Sequence, residues 1–176
     1  MYADILVPTD GSDAADRPAS EAVELARRFD ATVHALYVVD VQDYSTVPET
    51  TWAPLVEDLE AAGEIAVEAV ADVAADAGVP VQTAVRRGLA HQTIREYADE
   101  TGADLIVMGT HGRSGLNRFL LGSVTEKVIR GADVPVLVIQ VGEHATASSP
   151  VDGEGDQAES GGKPDGASAG PSDEDG

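Results

Sequence analysis

The sequence lacks cysteine altogether and has few lysines and aromatic residues. With no cysteine among 176 residues, a disulfide scaffold, a thiolate metal site and a cysteine nucleophile are excluded. No apolar run approaches the ~20 residues of a membrane-spanning helix. The first residues have neither the positive flank nor the apolar length of a signal peptide. These absences predict a soluble, cytoplasmic protein that has no membrane partner.

Positive charge is also scarce. Lys and Arg together number 11 against 32 Asp and Glu, a net charge of −21, and the only lysines are Lys127 and Lys163. A field of this sign repels nucleic acid and anionic lipid, so we expect neither as a partner. The composition is typical of halophilic organisms, whose internal salt screens acidic self-repulsion. One unusually acidic protein in an ordinary cell is the alternative.

The composition changes sharply near Gly142. Residues 143–176 contain nine acidic residues, one lysine, 15 Gly, Ser or Pro and no aromatic residue. Such a segment cannot bury enough apolar surface to offset its ordering entropy, so we expect a disordered tail. The sequence thus predicts one domain over residues 1–142, itself carrying 23 acidic and 10 basic residues. The tail either solubilises the protein or binds a partner.

Strand-like apolar runs alternate with helical patterns throughout residues 1–142. The alternation predicts an open α/β fold with a parallel sheet and helices on both faces. In such sheets a ligand binds beyond the carboxyl ends of the strands, where the strand order reverses. That rule points to the loops after the first and fourth strands. The five predicted strands are Ile5–Val7, Thr32–Val39, Val81–Val85, Leu105–Met108 and Val136–Ile139.

The helix boundaries carry three specific expectations. Pro18 removes a backbone donor, so the first helix is expected either to begin nearer Asp16 than Asp13 or to be kinked. Ser12 or Asp13 is the expected N-cap of that helix. The second helix is expected from Leu55 to Ala77 before Gly78, and Gly131 is expected to cap the last helix.

A glycine array follows the fourth strand. Gly109, Gly112, Gly122 and Ser123 have the spacing G-x2-G-x9-G-S. Gly109 has no side chain to block a ligand, and Gly112 permits a positive φ in the turn. Gly122 and Ser123 stand at a predicted helix start, where free amides and the helix dipole can hold phosphate. A tight turn that binds nothing is the alternative.

Other nucleotide and catalytic motifs are missing. There is no G-x4-G-K-[ST] and no G-x-G-x-x-G, which argues against a P-loop NTPase and a dinucleotide-binding enzyme. The one G-x-S-x-G match, Gly166-Ala-Ser-Ala-Gly170, lies in the predicted tail and not between a strand and a helix, so a hydrolase nucleophile is unsupported. We therefore assign no catalytic residue and no metal ligand. Arg113 and Arg118 are the basic residues near the glycine array, and they would give an anionic ligand a local positive charge.

At this point the chain resembles the universal stress protein family, in the branch with the ATP-binding motif G-x2-G-x9-G-[ST]. The resemblance covers residues 2 to about 141 and also rests on Val7-Pro-Thr-Asp-Gly-Ser12, Asp104-Leu-Ile-Val-Met-Gly109 and Val134-Pro-Val-Leu-Val138. It implies a Rossmann-like sheet of the adenine nucleotide alpha hydrolase type, with strand order 3-2-1-4-5. It also implies binding of ATP with Mg²⁺.

The resemblance further implies roles for individual residues. Asp10 would lie near the ribose or adenine, Val38 would contact the adenine, and Met108 would line the pocket unless it is simply core. Backbone amides at the glycines would reach the phosphates, which residues 122–125 would cradle with a divalent ion. The implied nucleotide-binding set is Pro8, Thr9, Asp10, Val38, Met108, Gly109, Gly112, Arg113, Gly122, Ser123, Val124 and Thr125.

The last strand is expected to join two copies of the chain. The family resemblance implies pairing across a dimer axis. Independently, an exposed apolar strand edge favours pairing with another chain. The strand consists of Val136, Leu137, Val138 and Ile139. The expected function is a homodimeric, ATP-binding stress-response module whose nucleotide state is sensed by an unknown protein partner.

Two other functions stay open. A slow ATPase or phosphotransferase would use His111, Arg113 and Ser123, although His111 is more simply a solvated loop residue. A nucleotide-free dimeric chaperone or scaffold would depend on the last strand and the tail. Trp52 is either a lid over the adenine or a buried anchor. His34 and His91 lack metal-ligand spacing and are expected to be structural.

Overall fold

The computed structural model describes residues 2–40, 49–110 and 121–140, with backbone alone for residues 49–53. All of them fall within a compact unit over Met1–Glu143. The predicted disorder of residues 143–176 lies outside the described residues. The elements are β1 (Asp4–Thr9), a 3-10 turn (Asp13–Ala15), α1 (Asp16–Phe29), β2 (Thr32–Val39), α2 (Glu49–Asp76), β3 (Val81–Arg87), α3 (Ala90–Thr101), β4 (Leu105–Gly109), α4 (Ser123–Gly131) and β5 (Val136–Ile139).

The five strands form one sheet in the order β3-β2-β1-β4-β5. Every neighbouring pair is parallel. The predicted fold class and strand order are therefore confirmed. The order reverses between β1 and β4, which places the carboxyl ends of these two strands at the position where such sheets bind ligands.

Two apolar layers cover the two faces of the sheet. Ile5 and Val7 of β1 pack with residues of α1 and α2, whereas Leu6 packs with residues of α3 and α4. All three side chains are at most 1% exposed. A central parallel strand is buried on both faces, which explains why its sequence is continuously apolar.

The start of α1 agrees with one expectation and contradicts another. The helix begins at Asp16, so Pro18 lies in its first turn, where no helical hydrogen bond is lost. The predicted N-cap was wrong, because neither Ser12 nor Asp13 caps α1 and Ser12 makes no capping bond to the 3-10 turn. The Ser12 hydroxyl instead donates to Asp10 Oδ1 at 2.7 Å. This bond orients the hydroxyl toward Asp10, and its oxygen accepts no amide N–H of the 3-10 turn.

Two helix boundaries differ from the prediction. The second helix begins at Glu49 rather than Leu55 and contains Pro54, because residues 49–54 lack the apolar period that would have revealed them. Gly131 is the last residue of α4, and the cap is the extended Ala132. A Cβ on Gly131 would lie 2.5 Å from Arg95 Nη1, so the glycine makes room for that side chain. Across the described ranges no helix is long and apolar enough to cross a bilayer.

Candidate functional site

β1 and β4 separate at their carboxyl ends. β1 pairs with β4 as far as Leu6 and Ile106, whereas it stays paired with β2 as far as Thr9 and Tyr37. Pro8 lies in the separating segment and has no N–H to donate to a neighbouring strand. The loss of pairing opens a gap in the sheet at the reversal of strand order.

A cavity of about 420 Å³ occupies this gap. Its volume falls within the ~300–1,000 Å³ of small-molecule sites. Ten predicted site residues line it, and the other two, Gly112 and Arg113, lie outside the described residues. The ten are Pro8, Thr9, Asp10, Val38, Met108, Gly109, Gly122, Ser123, Val124 and Thr125.

One wall of the cavity is apolar. Leu36 and Val38 of β2, Ile94 of α3 and Met108 of β4 all contribute to it. Met108 is 5% exposed and also packs in the core layer between the sheet, α3 and α4. The two predicted roles of Met108, pocket lining and core, are therefore both met by the same side chain.

Another part of the lining is the beginning of α4. Gly122 is the N-cap residue, and Ser123, Val124 and Thr125 form the first turn. The first amides of an α-helix have no carbonyl one turn earlier to accept their hydrogen bonds. The Gly122 amide is used differently, since it donates to the Thr110 carbonyl at 2.7 Å. This bond fixes the start of α4 just beyond the end of β4.

A side-chain hydrogen bond joins the two ends of the glycine array. Thr125 is 4% exposed, and its hydroxyl donates to the Gly109 carbonyl oxygen at 2.9 Å. The hydroxyl proton of Thr125 thus points at the protein rather than into the cavity. Thr125 thereby holds β4 and α4 together.

The loop after β1 presents Asp10 at the cavity. Oδ1 of Asp10 accepts hydrogen bonds from the amide and the hydroxyl of Ser12, at 3.1 and 2.7 Å. Gly11 follows with φ +72°, and its amide donates to Thr9 Oγ1 at 3.2 Å. A left-handed residue favours glycine, so the Thr-Asp-Gly-Ser sequence shapes the loop that places this carboxylate.

The described lining carries negative charge only. Asp10 and Asp40 contribute carboxylates, and no described lining residue is Lys or Arg. Arg113, Arg118 and His111 lie outside the described residues, so their predicted roles stay predictions. Within the described ranges, no cluster of three or more His, Cys, Asp or Glu could hold a metal ion.

Some lining residues were missed from the sequence. Asp40 directly follows β2, and Ala90 follows the loop after β3, so both stand beyond the carboxyl end of a strand, as Asp10 does. The rule on strand ends could have found them. Leu59 reaches the cavity from α2, and nothing in its local sequence signals this.

His34 lies away from the cavity. It is 3% exposed, and its Nε2 lies 2.8 Å from Asp4 Oδ1. Both residues lie near the amino ends of their strands, whereas the cavity lies at the carboxyl ends. The main-chain carbonyl of His91 accepts a bond from Arg95 Nε at 3.3 Å. The side chain of Trp52 lies outside what the structure describes, so its role stays open.

Comparison with known proteins gives consistent results. The family model "Universal stress protein family" matches residues 1–140. A universal stress protein of Methanocaldococcus jannaschii is 44% identical over 141 residues, which are 80% of this chain and 83% of that protein. The solved structure of universal stress protein UspA from Lactobacillus plantarum has a TM-score of 0.67 and 37% identity, covering 78% of this chain and 97% of that one.

Two further solved relatives contain adenine nucleotides. A universal stress protein in complex with cAMP matches with a TM-score of 0.57 and 28% identity, over 79% of this chain and 97% of that chain. The protein from Archaeoglobus fulgidus in complex with dAMP has a TM-score of 0.55 and 25% identity, over 78% and 97%. With the family model covering residues 1–140, the chain belongs to the universal stress protein family.

Proposed function

We propose that this protein is a homodimeric, ATP-binding regulatory module of the stress response. The observation that carries the proposal is the 420 Å³ cavity at the reversal of strand order, lined by ten of the twelve residues that the family resemblance implies for nucleotide binding. The described lining supplies a cradle for a ligand without a nucleophile–base pair, so a binding role is favoured over catalysis. The cAMP and dAMP complexes of relatives support an adenine nucleotide as the ligand.

The cavity suits the two ends of a nucleotide differently. The adenine would pack against the apolar wall of Val38, Ile94 and Met108. The phosphates would meet the first-turn amides of α4, where the helix dipole favours an anion. Ser123 adds a hydroxyl at the same place. Gly109 and Gly122 leave the backbone open to close approach of the ligand.

Mg²⁺ fits this site as a companion of the phosphates. The described residues offer it no cage of three ligands, and Mg²⁺ commonly binds through substrate phosphates, one or two carboxylates and water. Asp10 and Asp40 already make the cavity negative. A divalent ion that neutralises phosphate charge would reduce their repulsion of ATP, and we therefore expect ATP binding to require Mg²⁺.

Ligand-induced thermal stabilisation tests the proposal. Mg·ATP at 100 times its dissociation constant should stabilise the fold by about 2.7 kcal/mol, raising Tm by about 10 °C. Ser123→Ala should reduce the shift and Gly122→Val should abolish it. Ser20→Ala, whose hydroxyl bonds Asp16 O on α1 outside this cavity, is the matched control and should keep the full shift. A folded wild type whose Tm is unchanged by ATP, cAMP and AMP would contradict nucleotide binding.

The dimer would form through β5. This strand pairs with β4 on one side, and within the described sheet it stands at the edge. Leu137 is 37% exposed there, and an edge strand with unpaired backbone groups is a template for pairing with another chain. Continuation of the sheet across two copies would bury this edge.

A further inference from the structure

A groove of about 540 Å³ lies between α1 and α2. Of the residues that line it, only Thr9 and Ala15 also line the cavity of the nucleotide proposal. We call it the α1–α2 groove. Its lining is mostly apolar or small, and Asp16 is the one charged residue among the described lining. The lining residues are Thr9, Gly11, Ala15, Asp16, Ala19, Ser20, Ala62, Ile65, Ala66, Ala69, Val70 and Val73.

An apolar stripe of α2 borders this groove. Ala62, Ile65, Ala69 and Val73 follow one another at intervals of three or four residues and so share a helix face. Ile65 is 73% exposed and Val73 is 38% exposed. Single exposed apolar residues are ordinary, but apolar residues aligned beside a groove are typical of an interaction site.

A row of carboxylates runs beside the stripe. Glu68, Asp72 and Asp76 each follow a stripe residue by three positions, and they are four residues apart from one another. Like charges at this spacing on a helix repel. None of the three forms an ion pair with another described residue. All of α2, Glu49–Asp76, contains eight acidic residues and no basic residue.

The arginines of the neighbouring helix are engaged elsewhere. Arg17 donates to the Gln140 carbonyl at 3.2 Å. Arg27 and Arg28 both bind Glu24, at 3.0 Å in each ion pair. The arginines of α1 therefore leave the carboxylate row of α2 uncompensated.

We propose that the α1–α2 groove docks a basic amphipathic helix of a partner protein. Apolar side chains at i, i+3 or i+4 and i+7 of that helix would fill the groove beside Ile65 and Val73, as in other helix-in-groove complexes. Its lysines and arginines would face Glu68, Asp72 and Asp76, which supplies charge complementarity. The inference is independent of nucleotide binding.

Charge selects this occupant over two others. A second copy of the chain carries a net charge of −21 and would bring like charge to the row. The chain's own residues 143–176 contain nine acidic residues, one lysine and one branched aliphatic residue, Val151. They offer neither the apolar face nor the cations that the groove and the row would bind.

A synthetic peptide tests the proposal directly. The probe is a fluorescein-labelled, amidated peptide of about 16 residues, with leucines at helical i, i+3 and i+4 spacing and lysines elsewhere. Its binding to the full chain is followed by anisotropy at low salt and in molar KCl. A scrambled peptide of equal composition and a glutamate-for-lysine peptide are the ligand controls. We expect the basic amphipathic peptide to bind at least about tenfold more tightly than either control.

Protein variants locate the binding. Ile65→Ser with Val73→Ser should weaken binding by about tenfold or more, whereas Ile129→Ser, 43% exposed on α4, should change it less than twofold. Glu68→Gln with Asp72→Asn should weaken binding and flatten its salt dependence. Glu96→Gln with Asp99→Asn removes equal charge from α3 and should change neither the affinity for the peptide nor its salt dependence. The proposal would be overturned if a control variant lost as much binding as the groove or carboxylate variant that it matches. It would also be overturned if the scrambled peptide bound equally well, if no peptide bound, or if the protein self-associated in a way that Ile65→Ser abolishes.

Discussion

The hydroxyl of Thr125 donates a hydrogen bond to the carbonyl oxygen of Gly109, over 2.9 Å and across 16 residues of sequence. It joins the last residue of β4 to the first turn of α4. Both residues line the cavity at the reversal of strand order. The distance between the end of the strand and the amides of the helix is therefore held by a side chain two residues beyond the motif.

Replacing Thr125 by valine should destabilise the protein. Valine nearly matches threonine in shape but leaves the Gly109 carbonyl without this donor, which costs about 1–2 kcal/mol for a buried group. We expect Tm to fall by about 3–8 °C in thermal denaturation followed by circular dichroism. Thr125→Ser keeps the hydroxyl and should recover part of the loss. Equal stability of the valine variant and the wild type would show that the bond contributes nothing.

The sequence predicted the positions of the cavity residues better than their contacts. Gly122 and Ser123 were placed at a helix start, and α4 does begin there. The bond from Thr125 to Gly109 was not predicted, since it depends on the rotamer of a buried side chain. Ser12 failed as a cap for a related reason, because its side chain is oriented toward Asp10.

Gly63 shows where local sequence gives no signal. It lies in the middle of α2, where a glycine is unfavourable, and a Cβ built on it would lie 2.6 Å from Cδ1 of Tyr37. The two residues belong to different elements, and their contact follows from how α2 packs on β2. No periodicity in either segment contains that information.

Gly63→Ala should destabilise the protein despite its better helix propensity. Alanine gains about 1 kcal/mol in a helix, but displacing the Tyr37 ring from a packed layer costs about 1–3 kcal/mol. We expect a net loss of about 1 kcal/mol in urea unfolding. In the Tyr37→Val protein the ring is absent, and Gly63→Ala should there raise the free energy of unfolding. A stabilising effect in both backgrounds would contradict the packing described here.

Asp104 predicts a pH dependence of stability. Hydrogen bonds from the amides of Ala3 and Asp4 hold the pKa of the Asp104 carboxyl below its ordinary value of 3.8. Because the folded-state pKa is the lower one, the stabilisation is fully present above the unfolded pKa. It is lost as the pH falls through the folded pKa. Asp104→Asn should therefore lower the free energy of unfolding at pH 7, by less than about 1 kcal/mol because solvent screens this carboxylate, and this difference should shrink below about pH 4.

Urea unfolding of wild type and variant between pH 3 and pH 7 measures that difference. Asp99→Asn, an exposed change on α3, removes one negative charge without the two amide contacts and serves as the control. A difference between wild type and Asp104→Asn that stays constant down to pH 3 would contradict the assignment of these bonds to the carboxylate.

The proposed dimer should depend on the exposed edge of the sheet. Leu137→Asp places a charge on β5, and a charged side chain on an edge strand opposes pairing with another chain. We expect sedimentation velocity in molar KCl to shift from dimer to monomer. Ile129→Asp, a comparably exposed residue on α4, should remain dimeric. A monomeric wild type, or a dimer that survives Leu137→Asp, would contradict pairing through β5.

Titration calorimetry of Mg·ATP into the wild-type protein tests nucleotide binding at the cavity most directly. Molar KCl is needed because the net charge is −21. The salt screens repulsion among the acidic side chains, which would otherwise destabilise the folded protein. We expect one site per chain with a dissociation constant of roughly 1–100 μM, weakened at least tenfold in Gly122→Val. A wild type that circular dichroism shows to be folded but that releases no heat with ATP would contradict it, as would unchanged binding by a folded Gly122→Val.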